Sequence, residues 1–498
     1  MNATIQTVSF NGLFANDVVV QVHISTGLPS VTIVGLASKS VAESKERVRA
    51  ALSNIGLSFP AKRISVNLSP AGMLKEGAHY DLPIALAIMV AMGALPQDYF
   101  DDVIILGELS LDGSILSVPG VLLAAIAASD KDLSLICPES NGSEAVWAGD
   151  LKVIAPPNLL ALCNHLRGLQ PIAYPVAKLS KPESQKIDMS DIKGQETAKR
   201  ALEIAAVGAH NVLMIGPPGA GKSMLAARMK NILPELSAKE ALTITMIHSI
   251  NGTLPDQGLV SNRPFRDPHH SASMAALVGG GHKSKPGEVS LAHNGVLFLD
   301  ELPEFQRNVL DSLRQPLETG EIVISRANQT IRYPASFQLI AAMNPCRCGY
   351  LSDPLRACSR APVCAVQYQN RISGPLLDRF DMIIFLGTLS ASELLSSERS
   401  ETSEKIRNRV KNEREDAYID PSENQILNAK LPADFNFQLT PPAAELLRDS
   451  IDKFSLTARG FHKILRVATS IKNLEKKAEI HPHHLAEALS YRIQSFVS

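Results

Sequence analysis

A glycine-rich stretch in the middle of the chain has the residue types that bind phosphate groups. It reads Gly216-Pro-Pro-Gly-Ala-Gly-Lys-Ser223, follows the apolar run Val212–Ile215 and precedes a helical pattern over Met224–Ile232. Glycines let backbone N–H groups converge on phosphate oxygens, and a helix N-terminus adds partial positive charge. Lys222 would then contact the β- and γ-phosphates of ATP, and the Ser223 hydroxyl would reach Mg²⁺. The predicted nucleotide-binding residues are Gly216, Pro217, Pro218, Gly219, Ala220, Gly221, Lys222 and Ser223.

Two acidic residues end a second apolar run, Gly295-Val-Leu-Phe-Leu-Asp-Glu301. Asp300 is predicted to hold Mg²⁺ through its water shell, and Glu301 to polarise the water that attacks the γ-phosphate. Acids at a strand end can also be merely solvated. The phosphate-binding stretch upstream favours the catalytic interpretation, so the sequence predicts Mg²⁺-dependent ATP hydrolysis.

The elements that must position these residues fall into three predicted domains. Residues 1–170 alternate β-rich runs with helical patterns, which predicts an α/β domain, and the Pro-containing segment 171–188 has linker composition. Residues 189–389 read as strand, glycine loop, helix and further buried strands, as in a parallel sheet covered by helices. Residues 390–498 carry charged helical patterns and predict a small helical domain.

Composition restricts the class of protein. The chain has 498 residues, enough for roughly three domains with separate cores. Its net charge of −1 gives no overall basic field, so contact with DNA must come from a local basic surface. The longest apolar run, Leu82 to Leu95, is too short to span a bilayer and predicts a buried helix. With no secretory signal at the N-terminus, we expect a cytoplasmic protein without membrane contacts.

The ordered set of motifs resembles the AAA+ superfamily, and specifically its magnesium-chelatase-like branch, which also resembles the MCM helicases. The resemblance runs from Asp191-Ile-Lys-Gly-Gln195, on the adenine side, to Ser373–Asp381. It implies that Asn344, after the strand Phe337–Ala342, is sensor 1 and helps position the lytic water. It also implies that Arg379 is an arginine finger given in trans, the alternative being a surface ion pair with a neighbouring aspartate.

Further downstream, Thr457-Ala-Arg-Gly-Phe-His462 opens an apolar-periodic helix and resembles the sensor 2 motif. This resemblance implies that Arg459 contacts the γ-phosphate, with Arg466 as the fallback. A single arginine at a helix start is more often simply solvated.

The N-terminal domain resembles the proteolytic domain of Lon proteases through Leu106–Leu116 and the Pro119-Gly120 turn that follows. That family uses a Ser–Lys dyad. Here His79 stands where the serine would fall and Leu122 near the place of the lysine. Without both groups there is no nucleophile to activate, so the resemblance implies the fold of a protease without its chemistry.

Across nearly its whole length the chain resembles the ComM (YifB) family. This resemblance implies a homohexameric ring that uses ATP to drive DNA branch migration during natural transformation and homologous recombination. Two alternatives stay open. One is a magnesium-chelatase ATPase subunit, which the fused Lon-like domain disfavours. The other is an ATP-controlled protein adaptor, which intact Glu301 and Arg379 disfavour.

Six cysteines divide into two groups. Cys137 and Cys163 stand alone in apolar surroundings and are predicted core residues. The other four crowd into nineteen residues, a density that fits a structural Zn²⁺ although the spacing departs from the usual Cys-x2-Cys knuckle. Reduced thiols without metal are the alternative. The predicted zinc ligands are Cys346, Cys348, Cys358 and Cys364.

Two stretches correspond to the pore loops of this branch of AAA+ proteins, Ala275–Gly287 and Ile322–Tyr333, the second alternating like a hairpin. Copies of Lys283, Lys285 and Arg326 around one channel would concentrate positive charge where single-stranded or branched DNA passes. An ordinary solvated surface is the alternative for each of the three.

Overall fold

The computed structural model describes residues 2–177, 187–254, 258–281, 284–326, 329–351, 359–390, 393, 400–415 and 427–492. Side chains are described throughout these ranges except at positions 326 and 329.

A seven-stranded mixed sheet forms the N-terminal part, with strand order β3-β4-β2-β1-β5-β8-β9. The strand β1 was not among the sequence predictions, yet it pairs with β2 along its whole length and contributes buried alternate residues. The strands of this part, including the small β6–β7 pair, are β1 Asn2–Asn11, β2 Phe14–Ser25, β3 Ser30–Val34, β4 Arg63–Ser69, β5 Val103–Ile105, β6 Glu108–Leu109, β7 Ile115–Leu116, β8 Ser134–Ile136 and β9 Val153–Ile154.

The N-terminal helices cover this sheet. The predicted buried helix is confirmed as α3, whose residues are nearly all buried and which ends before Gly93, a residue with φ of 76°. Among the described residues, no helix is both long and apolar enough to cross a membrane. The helices are α1 Lys39–Ala42, α2 Ser44–Asn54, α3 Asp81–Ala91, α4 Val121–Ser129, α5 Gly142–Ala145 and α6 Leu159–Leu166.

The two positions at issue in the protease resemblance lie in the N-terminal core. His79 is 4% exposed, and its Nε2 lies 3.0 Å from the carbonyl of Val8. Burial lowers the pKa of His79 to about 4. Leu122 is completely buried. The Lon-like fold itself stays a prediction.

The second sheet is the predicted parallel one, five strands in the order β11-β14-β17-β10-β18. The phosphate-binding stretch follows β10, and Asp300 follows β14. Because β17 pairs with both, the carboxyl ends of all three strands meet at one edge. The strands are β10 Val212–Ile215, β11 Phe265–Arg266, β14 Val296–Leu299, β17 Gln338–Met343 and β18 Met382–Phe385.

Helices flank this sheet, and two small hairpins extend from it. In the predicted hairpin, β15 pairs antiparallel with β16, from Ile322↔Tyr333 to Arg326↔Gln329. The helices are α7 Glu196–Gly208, α8 Lys222–Ile232, α9 Ala238–Asn251, α10 Met274–Val278, α11 Glu288–Leu291, α12 Arg307–Ser312, α13 Arg314–Thr319, α14 Val363–Gln369 and α15 Gly374–Leu377. The hairpin strands are β12 Gly279–Gly280, β13 Lys285–Pro286, β15 Glu321–Arg326 and β16 Gln329–Pro334.

The described residues beyond 400 form helices and no strand, namely α16 Ser403–Glu415, α17 Pro441–Phe454, α18 Ala458–Leu474 and α19 Pro482–Ser490. Their apolar faces join the core on one side of the parallel sheet, where Leu465 and Leu485 belong to the same cluster as Val212. The C-terminal helices therefore share a core with the sheet instead of forming one of their own. The domain boundary at residue 390 stays a prediction.

Candidate nucleotide-binding site

The phosphate-binding loop has the backbone that its glycines make possible. Gly219 and Gly221 have φ of 80° and 88°, in the left-handed region that other residues adopt only at a cost. A Cβ on Gly216 would come within 2.8 Å of the Leu386 carbonyl oxygen. Helix α8 begins at Lys222, so the unpaired N–H groups of its first turn adjoin the loop. This arrangement is suited to bind phosphate oxygens.

Lys222 is held at this loop by three oxygens. Its Nζ donates to the carbonyls of Gly216 and Pro217, at 2.7 and 2.9 Å, and to Oδ1 of Asn344 at 3.0 Å. Burial lowers the pKa of Lys222, while the nearby charges of Asp300 and Glu301 act in the opposite direction. A cation that is 8% exposed and bonded only to neutral groups in this way can transfer its bonds to phosphate oxygens at little cost.

The two predicted magnesium ligands are in contact. Ser223 Oγ donates to Asp300 Oδ2 at 2.6 Å, and Asp300 Oδ1 accepts the N–H of Glu301 at 2.9 Å. The Glu301 backbone has φ of 51°, and its side chain is 55% exposed, as a group that must meet a water molecule requires. Carboxylate and hydroxyl oxygens are ligands that Mg²⁺ accepts. The structure thus brings together Lys222, Ser223, Asp300, Glu301 and Asn344 at one edge of the sheet.

Sequence reasoning missed residues that follow β11. Asp267 lies near Asp300, whose charge, together with burial as the larger cause, raises the pKa of Asp267. His270 Nδ1 lies 3.6 Å from Glu301 Oε2, and the ring of His269 lies 4.1 Å from that of His270. The two-residue strand β11 is too short to show periodicity, so its pattern does not place these residues at the site. The juxtaposed acid and histidines of Asp-Pro-His-His were the available signal.

Arg379 lies at the opposite edge of the sheet. Its carbonyl accepts from Asn211, which precedes β10, whereas the phosphate-binding loop follows β10. A four-residue strand separates these ends by about 13 Å. The Arg379 guanidinium is 13% exposed and binds Glu318, not the aspartates considered from the sequence.

Arg459 lies beside Arg379 and not beside the chain's own loop. It forms an ion pair with Asp378 at 3.5 Å, and both arginines line one open cavity of about 630 Å³. Arg466, the fallback for Arg459, and Arg371, a further arginine that could serve as the finger, lie in different places. Arg466 donates to the Leu431 carbonyl, whereas Arg371 donates to Glu304 at 2.9 Å, just beyond Glu301.

The prediction that two of the cysteines are core residues is confirmed, whereas the four-cysteine zinc site stays a prediction. Cys137 and Cys163 are buried, at 0% and 5% exposure. The sulfur atoms of Cys346, Cys348 and Cys364 lie within 4.8 Å of one another. Cys358 lies outside the described residues.

Of the three predicted DNA contacts, the structure describes the side chain of one. Lys285 lies in β13, and its Nζ donates to the carbonyl of Asn251 at 2.9 Å. Lys283 lies outside the described residues, as does the side chain of Arg326.

The fold and the site together define a P-loop ATPase core of the AAA+ type, and three family models agree. Residues 188–394 match "Magnesium chelatase, subunit ChlI", residues 400–492 match its C-terminal model, and residues 20–141 match "Subunit ChlI of Mg-chelatase". ATP and Mg²⁺ are the cofactors that this family implies.

Comparison with individual proteins shows to which group within this family the chain belongs. The chain is 44% identical over 488 residues to "Competence protein ComM" of Haemophilus influenzae, covering 97% of this chain and 95% of that one. It is 41% identical over 489 residues, with the same coverage, to YifB of Escherichia coli. A magnesium-chelatase 38 kDa subunit of Rhodobacter capsulatus is 31% identical over 173 residues, 31% of this chain and 49% of that one. The chain belongs to the ComM/YifB family of magnesium-chelatase-like proteins.

Proposed function

We propose that this chain is an ATP-driven DNA translocase that acts in the cytoplasm as a homo-oligomeric ring. The observation that carries the proposal is the division of catalytic groups between two edges of the parallel sheet. Lys222 and Asp300 adjoin the chain's own phosphate-binding loop, whereas the backbone of Arg379 lies at the other edge, beyond the far end of β10. A complete site therefore needs two subunits.

ATP hydrolysis would use the described residues as follows. Lys222 would bind the β- and γ-phosphates, and Ser223 and Asp300 would hold Mg²⁺, which would supply positive charge to neutralise the phosphates. The exposed Glu301 carboxylate polarises the attacking water. Asn344, fixed by its bond to Lys222, orients that water from the adjacent strand.

The positions of two arginines support assembly of several subunits into a ring. Arg379 and Arg459 line one open cavity, so both can approach a nucleotide bound to a neighbouring subunit. An arginine from a neighbouring subunit would stabilise the charge of the transition state, so ATP hydrolysis would depend on assembly of the ring. We infer a hexamer, as the family resemblance implies.

DNA would pass through the centre of this ring, contacting the two hairpins that carry Lys283, Lys285 and Arg326. The hairpins support each other, because Tyr333 of β16 donates to the carbonyl of Ser284 next to β13 at 3.0 Å. The name of the Haemophilus relative refers to competence. This supports a role in natural transformation, within which we propose branch migration and homologous recombination as the family resemblance implies.

The N-terminal part contacts strand β16 of one hairpin and helix α9, whose Asn251 carbonyl accepts from Lys285 of the other hairpin. The Gly120 N–H donates to the carbonyl of Ser249, near the end of α9, and the Ser249 hydroxyl donates to the buried Glu144. At a second contact, a Cβ on Gly12 would lie 2.8 Å from the carbonyl oxygen of Arg332. These contacts support a positioning role for this domain.

A magnesium-chelatase ATPase subunit is the second candidate. The match of residues 20–141 to a model described as "Subunit ChlI of Mg-chelatase" favours it, and weakens the argument that the N-terminal domain excludes this class. An ATP-controlled adaptor is the third.

One experiment separates the three candidates. The ATPase rate of the full chain is measured with and without forked or single-stranded DNA, using Glu301→Gln to correct for contaminating activity. A translocase is expected to be stimulated several-fold. Hydrolysis indifferent to DNA would contradict the proposal and favour the chelatase type, and the absence of hydrolysis would favour the adaptor.

A further inference from the structure

Three sulfur atoms converge beside the nucleotide site. Cys346 and Cys348 lie just after β17, with their sulfurs 3.1 Å apart, and Cys364 lies in α14. All three sulfurs fall within 4.8 Å of one another. In a tetrahedral zinc site with Zn–S bonds of about 2.3 Å, neighbouring sulfurs are about 3.8 Å apart. The Cys346–Cys348 pair is closer than that value and no separation exceeds 4.8 Å, so small side-chain adjustments would let all three bind one ion.

The surroundings suit a negatively charged metal complex. Cys348 and Cys364 line a cavity of about 480 Å³ together with three arginines, Arg347, Arg360 and Arg371. Binding of Zn²⁺ releases one proton from each of three thiols, and two positive charges minus three leave a net charge of −1 on the complex. Guanidinium groups stabilise that charge.

The cysteine segment is also in direct contact with the phosphate-binding loop. Asn344, which accepts from Lys222, stands two residues before Cys346. Gly349 packs so closely on the loop that a Cβ would lie 2.6 Å from Cδ of Pro218. The Gly349 N–H in turn donates to the carbonyl of Cys346 at 3.0 Å.

We propose that Cys346, Cys348 and Cys364 bind one Zn²⁺, and that this metal holds segment 344–349 in place against the phosphate-binding loop. A water molecule or another ligand completes the tetrahedron. The metal takes no part in chemistry at phosphate. It fixes the positions of Asn344 and of Gly349, which packs against Pro218 of the loop. This positioning role, unlike the metal site itself, rests on the proposed ATPase function.

A second group of metal-ligand side chains, Glu475, His483 and His484, does not support the same inference. His484 Nδ1 accepts the N–H of His481 at 2.9 Å and so carries no proton. Its Nε2, 3.0 Å from Glu475 Oε2, must then carry the proton and donate it. A metal at Nε2 would leave the ring without any proton, so this cluster is a hydrogen-bonded start of α19.

Metal content tests the proposal without reference to activity. The full chain, purified without added metal or chelator, is expected to contain about one zinc, and Co²⁺ in its place should give sulfur-to-cobalt charge-transfer absorption. Cys346→Ser and Cys364→Ser should each lose most of the metal. Cys163→Ser, which changes a buried cysteine in the N-terminal core, is the matched control and should keep it.

Two results would overturn the metal site: a reduced full chain that contains no zinc and binds no Co²⁺, or serine variants with wild-type metal content. Should a serine variant fail to fold, wild-type protein stripped with a zinc-selective chelator and reloaded gives the same comparison.

The coupling to the ATP site has its own measurement. Stripped protein, assayed with Mg²⁺, is expected to show a several-fold higher KM for ATP and a lower kcat, both restored by Zn²⁺. Unchanged kinetics with proven zinc loss would refute the positioning role. A zinc-containing chain without ATPase activity would instead contradict the proposed function and leave the metal site standing.

Discussion

The hydroxyl of Ser223 donates a 2.6 Å hydrogen bond to Oδ2 of Asp300, although the two residues are 77 positions apart in the chain. The bond exists because β10 and β14 both pair with β17, which places their carboxyl ends side by side. A hydroxyl and a carboxylate at this distance can share one divalent cation.

The first prediction separates binding of ATP from its hydrolysis. Lys222→Ala should abolish nucleotide binding, because it removes the cation at the phosphate-binding loop. Glu301→Gln should keep ATP bound and lower kcat by about 10²-fold or more, because the loop is intact while the attacking water loses its base. Binding is measured with a fluorescent ATP analogue and turnover by phosphate release.

Lys230→Ala and Glu404→Gln are the controls for this pair, since they make the same changes elsewhere on the molecule. Both should bind and hydrolyse ATP normally. Wild-type turnover in Glu301→Gln would show that the roles assigned to Asp300 and Glu301 are wrong.

The second prediction concerns Arg379. Arg379→Ala should spare ATP binding but cut hydrolysis, by up to the ~10³–10⁵-fold seen for arginine fingers. Mixing it with Lys222→Ala subunits should restore part of the activity, because some interfaces then pair an intact loop with an intact arginine. Arg307→Ala, at an exposed arginine, should leave activity unchanged, and its mixtures with Lys222→Ala should be as active as mixtures of wild-type with Lys222→Ala subunits.

Failure of complementation would move the finger to another arginine. Arg371 would be the next candidate to test, although its bond to Glu304 places it just beyond the chain's own Glu301.

The parts of the site that lie within one contiguous stretch of the chain could be predicted from the sequence. The phosphate-binding loop is a contiguous stretch in which glycine spacing, a buried strand and a helix start all indicate the same structure. Asp300 and Glu301 could be predicted in the same way, because a run of apolar residues that ends in two acids indicates where a buried strand ends.

What depends on pairing between distant segments could not be predicted. Asp267 and His270 reach the site only because β11 pairs with β14. Arg379 binds Glu318, which is distant in sequence and not one of its neighbours Asp378 and Asp381. The C-terminal helices share a core with the sheet, although their helical pattern shows only that each has an apolar face.

The third prediction concerns acid stability and His210. Complete burial lowers the pKa of His210 to about 4, the nearby Asp381 charge acting in the opposite direction. Between pH 6.5 and 4 the unfolded chain therefore binds the proton and the folded chain does not, so stability falls as pH falls. The full loss is about 3 kcal/mol below pH 4.

The pKa values of His79 and His293 are also lowered, so these residues contribute to the same loss of stability in acid. Removing His210 should therefore weaken the pH dependence of stability without abolishing it. Thermal unfolding of His210→Gln between pH 7 and 5 should show a smaller fall in Tm than the wild type. His483→Gln, at a histidine whose side chain is 59% exposed, should retain the wild-type dependence. Identical pH dependence in His210→Gln and the wild type would contradict the assignment.

The last prediction tests the DNA path. Replacing Lys283, Lys285 and Arg326 together by alanine should leave the basal ATPase rate intact, because none of them belongs to the nucleotide site. DNA stimulation should disappear, since the positive charge that contacts phosphates is removed. The slope of log K against log salt should become shallower, by about one for each phosphate contact that the ring loses.

A triple variant at exposed lysines of the C-terminal helices and their connection, with Lys405, Lys411 and Lys477 replaced by alanine, is the matched control. It changes net charge by the same amount and should preserve both stimulation and the salt dependence. If stimulation survived in the hairpin variant and was lost in this control, DNA would contact the outer helical surface. That result would contradict a path along the hairpins while leaving the ATPase assignment intact, because the catalytic residues are unchanged in both variants.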